Sequence, residues 1–158
     1  MWIYKEKEVH STDDLPENAF GFVYLIEKIN PVSGEKSKYI GRKYLTRSKT
    51  TSKRVSLKNG TKTTKKKKSR VESDWLSYMG SCKPLLEEIK RLGQEQFRFT
   101  ILAVGYTKGQ VNFLEEYAQM KAGVMFDDSY YNDSIGARGF IGVKFTDEFK
   151  QILREVQL

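Results

Sequence analysis

The sequence predicts a small α+β protein, a three-stranded antiparallel sheet flanked by helices and interrupted by one basic insertion. Three observations carry that reading. Short apolar blocks are bounded by Gly, Pro, Asn and Ser turns; other stretches space their apolar residues at helical intervals; and the segment 47–70 has almost no apolar content. At 158 residues, with 39% hydrophobic and 13% aromatic content, the chain is one folded domain's worth.

Residues 1–19, with Asp13-Asp14-Leu15-Pro16-Glu17-Asn18, read as a polar, loose lead-in. Phe20 to Ile26 is a continuous apolar run and reads as a buried strand. Turn chemistry at Asn30-Pro31-Val32-Ser33-Gly34 precedes a second strand at Lys38-Tyr39-Ile40-Gly41, which suggests an antiparallel hairpin. From Arg47 to Ser69 the only large apolar residues are Val55 and Leu57, so this stretch cannot bury a core and is expected to order on a ligand. Glu72 to Met79 predicts a short helix stopped by Gly80-Ser81. Pro84, then Leu85, Leu86, Ile89 and Leu92, then Gly93, predict a cleaner one. Phe97, Phe99 and Ile101 alternate as a third strand. Val111, Leu114, Ala118 and Ala122 share one face of a third helix, and a loop with Gly136, Gly139 and Gly142 follows Tyr130-Tyr131-Asn132. Thr146 caps a final amphipathic helix over 143–158 carrying Phe149, Ile152, Leu153 and Val156.

Charge is localised. The net charge is +8, yet the segment from Arg42 to Arg70 holds 13 bases and no acid, while the rest carries 15 bases against all 20 acids. A field of that kind attracts polyanions, and nucleic acid is the commonest. The same composition also fits a solvated lysine-rich loop. Cys82 is the only cysteine, which excludes a disulfide framework and a cysteine zinc site, and fits a reducing cytoplasm. No run approaches the roughly 20 apolar residues of a membrane helix, and Met1 to Glu6 lacks the apolar core of a signal peptide. One histidine, His10, leaves no basis for a histidine triad, and no phosphate-binding Gly-x-x-x-x-Gly-Lys-Ser/Thr loop is present.

In an antiparallel hairpin Tyr24 and Tyr39 can lie near each other, just before the basic cluster. Val23-Tyr24-Leu25-Ile26 and Tyr39-Ile40-Gly41 resemble the two motifs of the GIY-YIG nucleases. Phe99-Thr100-Ile101-Leu102 is similar to that family's third strand, Glu115 to its metal-binding glutamate and Tyr131-Asn132 to its closing asparagine motif. The resemblance covers about 20 to 135 and implies a nuclease domain over 20–142, with the basic insertion at about 47–70. Tyr-Ile-Gly-basic-basic followed by Glu72-Ser73-Asp74-Trp75-x-x-Tyr78-x-Gly80-Ser81 looks most like the phage-borne, free-standing Seg-like homing endonucleases. Phe22 stands where the first motif has glycine, with Gly21 one residue early. The family arginine falls at Arg47 or Arg70, and Lys43 or Tyr78 takes the place of a histidine found in some members.

The resemblance implies hydrolysis of double-stranded DNA, giving a 5′-phosphate and a 3′-hydroxyl, in the cytoplasm of a phage-infected bacterium. Glu115 would hold one divalent cation, magnesium with manganese able to substitute. Glu115 falls on the apolar helix face and Glu116 about 100° away toward the polar side, and a slip of one position would exchange them. Tyr24 or Tyr39 would take a proton from water, helped by Arg42 and Lys43. Arg42, Lys43, Lys49, Lys53, Arg54, Lys65, Lys66, Lys67, Lys68 and Arg70 would contact the DNA backbone. Nicking or double-strand cutting, monomer or dimer, and homing, restriction or repair all remain open. So does a basic DNA- or RNA-binding module without chemistry.

Overall fold

The structure, a computed structural model, describes residues 1–56, 62–135 and 146–156. Among these are the strands β1 (Trp2–Tyr4), β2 (Lys7–Val9), β3 (Gly21–Lys28), β4 (Lys38–Tyr44), β5 (Thr46–Ser56), β6 (Lys62–Glu72) and β7 (Phe97–Gly105). The helices are α1 (Lys83–Leu92), α2 (Lys108–Lys121) and α3 (Asp147–Glu155). The three expected strands are present as β3, β4 and β7, and β3 pairs antiparallel with both of the others. The sheet is nevertheless five-stranded and mixed, in the order β2-β1-β7-β3-β4, with β1 parallel to β7.

The two extra strands come from the segment expected to be a loose lead-in. Trp2 is the reason they dock: it is 1% exposed, its indole packs on Phe22, Tyr24 and Phe99, and its N–H donates to the Trp75 carbonyl at 2.9 Å. The β1–β2 turn places Lys5 and Glu6 at φ 47° and 65°. Such turns usually announce themselves with Asn-Gly or Asp-Gly, and a Lys-Glu turn carries no such signal.

The continuous apolar run of β3 follows from burial on both faces. Phe22, Tyr24 and Ile26 pack with Trp2, Trp75, Leu85 and Ile89 on one side. Val23 packs with Ile40, Ala103, Leu114, Ala118 and Phe149 on the other. Thus α1 covers one face and α2 with α3 the other. The Thr107 and Thr146 hydroxyls accept from the first-turn amides of α2 and α3. The expected helix at 72–79 is only a 3-10 turn, Trp75–Ser77, held by burial of the Trp75 ring.

The basic insertion is not structureless. β5 and β6 form an eleven-pair antiparallel ladder from Thr46↔Glu72 to Ser56↔Lys62. Its backbone groups satisfy one another while its side chains stay in solvent, so no apolar alternation marks it. The ribbon is pinned at its root, where Leu45 donates to the Phe20 carbonyl at 3.0 Å and accepts from Ser73 at 2.9 Å. The loop with Gly136, Gly139 and Gly142, the boundary expected at 142/143, Lys58, and the end of the C-terminal helix at 157–158 lie outside the described residues.

Candidate active site

β4 is the edge of the sheet, so one side of its backbone is available to other groups. Residues 129–132 take up its first half. The Ser129 carbonyl accepts from Ser37 and Lys38, and Tyr131 donates to the Lys38 carbonyl at 2.8 Å. The Asn132 side chain then acts as a surrogate strand residue. Its Oδ1 accepts from the Ile40 amide at 3.0 Å and its Nδ2 donates to the Ile40 carbonyl at 2.8 Å. Gln119 on α2 donates to that same carbonyl at 3.2 Å. A cleft opens at this point, lined by Tyr39, Arg42, Ser81, Glu115, Gln119, Tyr131 and Asn132, with Lys83 at its margin.

Strand alternation distributes the site over both faces of β4. Tyr39, Gly41 and Lys43 belong to the Trp2 face, whereas Ile40 and Arg42 face α2. Tyr24 lies directly across from Gly41, and its ring centroid is 6.2 Å from that of Tyr39. Gly41 is required here: a Cβ would sit 2.5 Å from the Tyr24 Oη and 2.9 Å from Tyr39 Cε1. The Tyr24 hydroxyl is fully buried, with the Tyr78 phenol as its polar neighbour but no well-aligned hydrogen bond among the described residues. The Tyr39 hydroxyl, in the cleft, is 3.1 Å from Ser81 Oγ.

Burial, reinforced by the Tyr78 and Tyr39 phenols, raises the Tyr24 pKa well above the ordinary value and outweighs Arg42. Burial also raises Tyr39, against the opposing pull of Ser81 and Arg42. Both are therefore neutral phenols in the free protein, and the basic neighbours alone do not favour a phenolate. Lys43 is committed elsewhere, 2.7 Å from Asp74 Oδ1 and 3.7 Å above the Tyr78 ring, and does not line the cleft.

Glu115 is 8% exposed and faces the cleft, where the Arg42 guanidinium pairs with its carboxylate. Glu116, expected on a polar side, is 5% exposed, because α2 is enclosed on more than its apolar stripe, but it does not line the cleft. The two arginines singled out from the sequence are not in the cleft. Arg47 is exposed on β5, and Arg70 on β6 stacks its guanidinium 4.5 Å over the Phe20 ring. The guanidinium that lines the cleft is Arg42, which the sequence suggested as a DNA contact and as a neighbour favouring a tyrosine phenolate. Its offset of three from Tyr39 places it on the opposite strand face, the face of Ile40, and that signal was legible. Gln119 was missed, although its spacing of four from Glu115 puts both on one helix face. Lys49, Lys53, Arg54, Lys65, Lys66, Lys67 and Lys68 are exposed along the ribbon, outside the cleft.

No group of three or more His, Cys, Asp or Glu able to hold a metal occurs among the described residues. The donor set is one carboxylate, Glu115, with Gln119 Oε1 one helical turn on, buried and without a hydrogen-bond partner. That set fits a hard cation which keeps several waters and takes the remaining oxygens from its substrate.

The chain matches, over residues 2–135, the family described as "Putative endonuclease segE, GIY-YIG domain". Neither a curated protein nor a solved structure gives a significant match. The chain belongs to the GIY-YIG nuclease family, in its Seg-like branch. No helix among the described residues is long and apolar enough to cross a membrane.

Proposed function

We propose that the protein is a metal-dependent DNA endonuclease whose reaction takes place at the open edge of β4. The observation that carries this reading is the convergence of Tyr39 and Arg42 of β4 with Glu115 of α2 in one cleft, beside the strand that runs directly into the basic ribbon. Glu115 would hold the cation, magnesium or manganese, which supplies positive charge to the scissile phosphate. Arg42, which neutralises Glu115 in the free protein, turns to the phosphate and offsets charge building on its oxygens. Tyr39 is the phenol with access to the cleft; a bound cation would favour loss of its own proton to solvent, and the resulting phenolate would take the proton from the attacking water. Tyr24 supports it from behind Gly41. Asn132 and Gln119 hold the Ile40 peptide and so fix the strand that carries Tyr39 and Arg42.

One such site cuts one strand, so a double-strand break needs two copies or two successive nicks. The Seg-like branch supports a homing-type role in the cytoplasm of a phage-infected bacterium. A second reading, a DNA-binding module without chemistry, draws on the Arg42–Glu115 pair, which leaves the carboxylate neutralised. Incubating a plasmid with protein and magnesium, then with EDTA, separates the two. Nicking that needs the metal selects the enzyme; a gel shift without cutting selects the module.

A further inference from the structure

The β5–β6 ribbon carries ten bases and a single acid, Glu72, which sits at the root and accepts from the Trp75 indole. Its register shows how the bases are distributed. Arg47, Lys49, Lys53, Lys65 and Lys67 occupy one face; Arg54, Lys62, Lys66, Lys68 and Arg70 occupy the other. On the second face each base stands opposite a Ser or Thr: Ser48↔Arg70, Thr50↔Lys68, Ser52↔Lys66, Arg54↔Thr64 and Ser56↔Lys62. On the first face Lys53 and Lys65 are directly opposed, a like-charge pair that disfavours the bare ribbon.

A ribbon lying flat on a polyanion needs bases on one face only. Five on each face call for anionic walls on both sides at once. The two walls of a DNA groove provide that. Eleven residues per strand at a rise of about 3.4 Å span roughly 34 Å, close to the ~34 Å of one duplex turn. The B-DNA major groove, about 12 Å wide, admits a two-stranded ribbon, whereas the minor groove at about 6 Å does not. The major groove of an RNA duplex is too narrow and deep for it. With no Asn or Gln on either strand, the ribbon has no bidentate partner for adenine, and its ten bases can grip phosphates.

We infer that the β5–β6 ribbon seats lengthwise in the major groove of a DNA duplex, its two faces contacting the phosphates of opposite strands. This rests on the reading of the protein as a DNA endonuclease and adds where the ribbon lies. Because Thr46 follows Arg42 by only four residues, the gripped turn adjoins the scissile phosphate.

The test uses the full chain with a labelled duplex in EDTA, so that binding is read without cutting. Two variants neutralise one face each: Lys49→Gln/Lys53→Gln/Lys65→Gln/Lys67→Gln, and Arg54→Gln/Lys62→Gln/Lys66→Gln/Lys68→Gln. All eight positions are exposed, so folding is preserved. Groove seating predicts that each variant lowers the slope of log affinity against log salt by a similar amount, about 2 to 3. Methylating guanine N7 within one turn of the cut should weaken binding, and a drug that fills the minor groove should not. A wild-type slope in either single-face variant overturns groove seating while leaving DNA binding intact. Displacement by the minor-groove drug, or equal binding of an RNA duplex, overturns the choice of groove. A wild-type protein that neither binds duplex DNA nor nicks it with magnesium removes the endonuclease reading itself.

Discussion

At the scale of single residues the account turns on four side chains. Glu115→Ala should lower the cutting rate by at least about 10²-fold while leaving duplex affinity nearly unchanged, read by nicking and gel shift side by side. Glu116→Ala should keep cutting; the reverse result would exchange the two. Arg42→Ala should lose cutting to a similar degree, whereas Arg47→Ala and Arg70→Ala should act mainly through affinity. Arg42→Ala also leaves the Glu115 carboxylate uncompensated in a mostly enclosed place, so its melting temperature must be measured alongside. Tyr24 is a different case. A fully buried hydroxyl with only the Tyr78 phenol beside it and no well-aligned hydrogen bond contributes little, so Tyr24→Phe should stay within about 1 kcal/mol of the parent stability. A drop in nicking by that variant would then report function and not folding. Tyr39→Phe should slow cutting by about 10²- to 10⁴-fold, the usual contribution of a general base. Wild-type rates in that variant would remove its assigned role.

At the scale of elements, the edge of β4 is built by contacts distant in sequence. Gly41→Ala should cost about 1–3 kcal/mol by forcing Tyr24 and Tyr39 apart, and calorimetry would show it. A second support joins β3, α1 and the segment around Tyr131. Glu88 accepts from the Tyr131 hydroxyl and pairs with Lys28 at 3.0 Å, and Lys28 also meets Glu35 at 2.9 Å. Burial raises the Glu88 pKa, but the Tyr131 hydrogen bond and Lys28 outweigh it, leaving it below the ordinary 4.5. Its stabilisation is therefore present above pH 4.5 and lost as pH falls through the lowered folded value. Hydrogen bonds to Glu35 and Glu88 raise Lys28; burial, then Glu88, raises Tyr131. Those contributions are full below the ordinary values of 10.5 and 10.0 and fade above them. Glu88→Gln should flatten the acid limb of melting temperature against pH, and an unchanged limb would contradict this network.

What the sequence disclosed at this scale depended on apolar pattern. β3, β4, β7, α1 and α2 bury apolar residues at strand or helix spacing and were legible. β1 and β2 were not, because they are three residues each, bury chiefly Trp2 and Val9, and their turn lacks the usual residues. The β5–β6 ribbon was not, because it buries nothing. Of the site, Tyr39, Glu115 and Asn132 were placed by motif, and all three line the cleft. Proximity in sequence favoured Arg47, which lies outside the cleft, whereas alternation along β4 puts Arg42 beside α2. Gln119 carries no motif and becomes visible only when α2 packs against Ile40.

At the scale of the whole molecule, an αβα layer carries the cleft at one edge of its sheet, and a long basic arm leaves from that same edge. The positive excess is thereby concentrated on the arm, while the cleft balances Arg42 against Glu115. If the ribbon bases grip backbone phosphates and the cleft groups act on one of them, as proposed, affinity and chemistry are separable, since the two sets of residues stand apart. The measurement that tests this most directly is a time course of nicking on a labelled duplex with magnesium, comparing wild type, Glu115→Ala and wild type in EDTA at equal DNA occupancy. The account predicts cutting by wild type alone, with ends carrying 5′-phosphate and 3′-hydroxyl, while all three samples bind the duplex. Equal cutting by Glu115→Ala, or cutting that persists in EDTA, would contradict it.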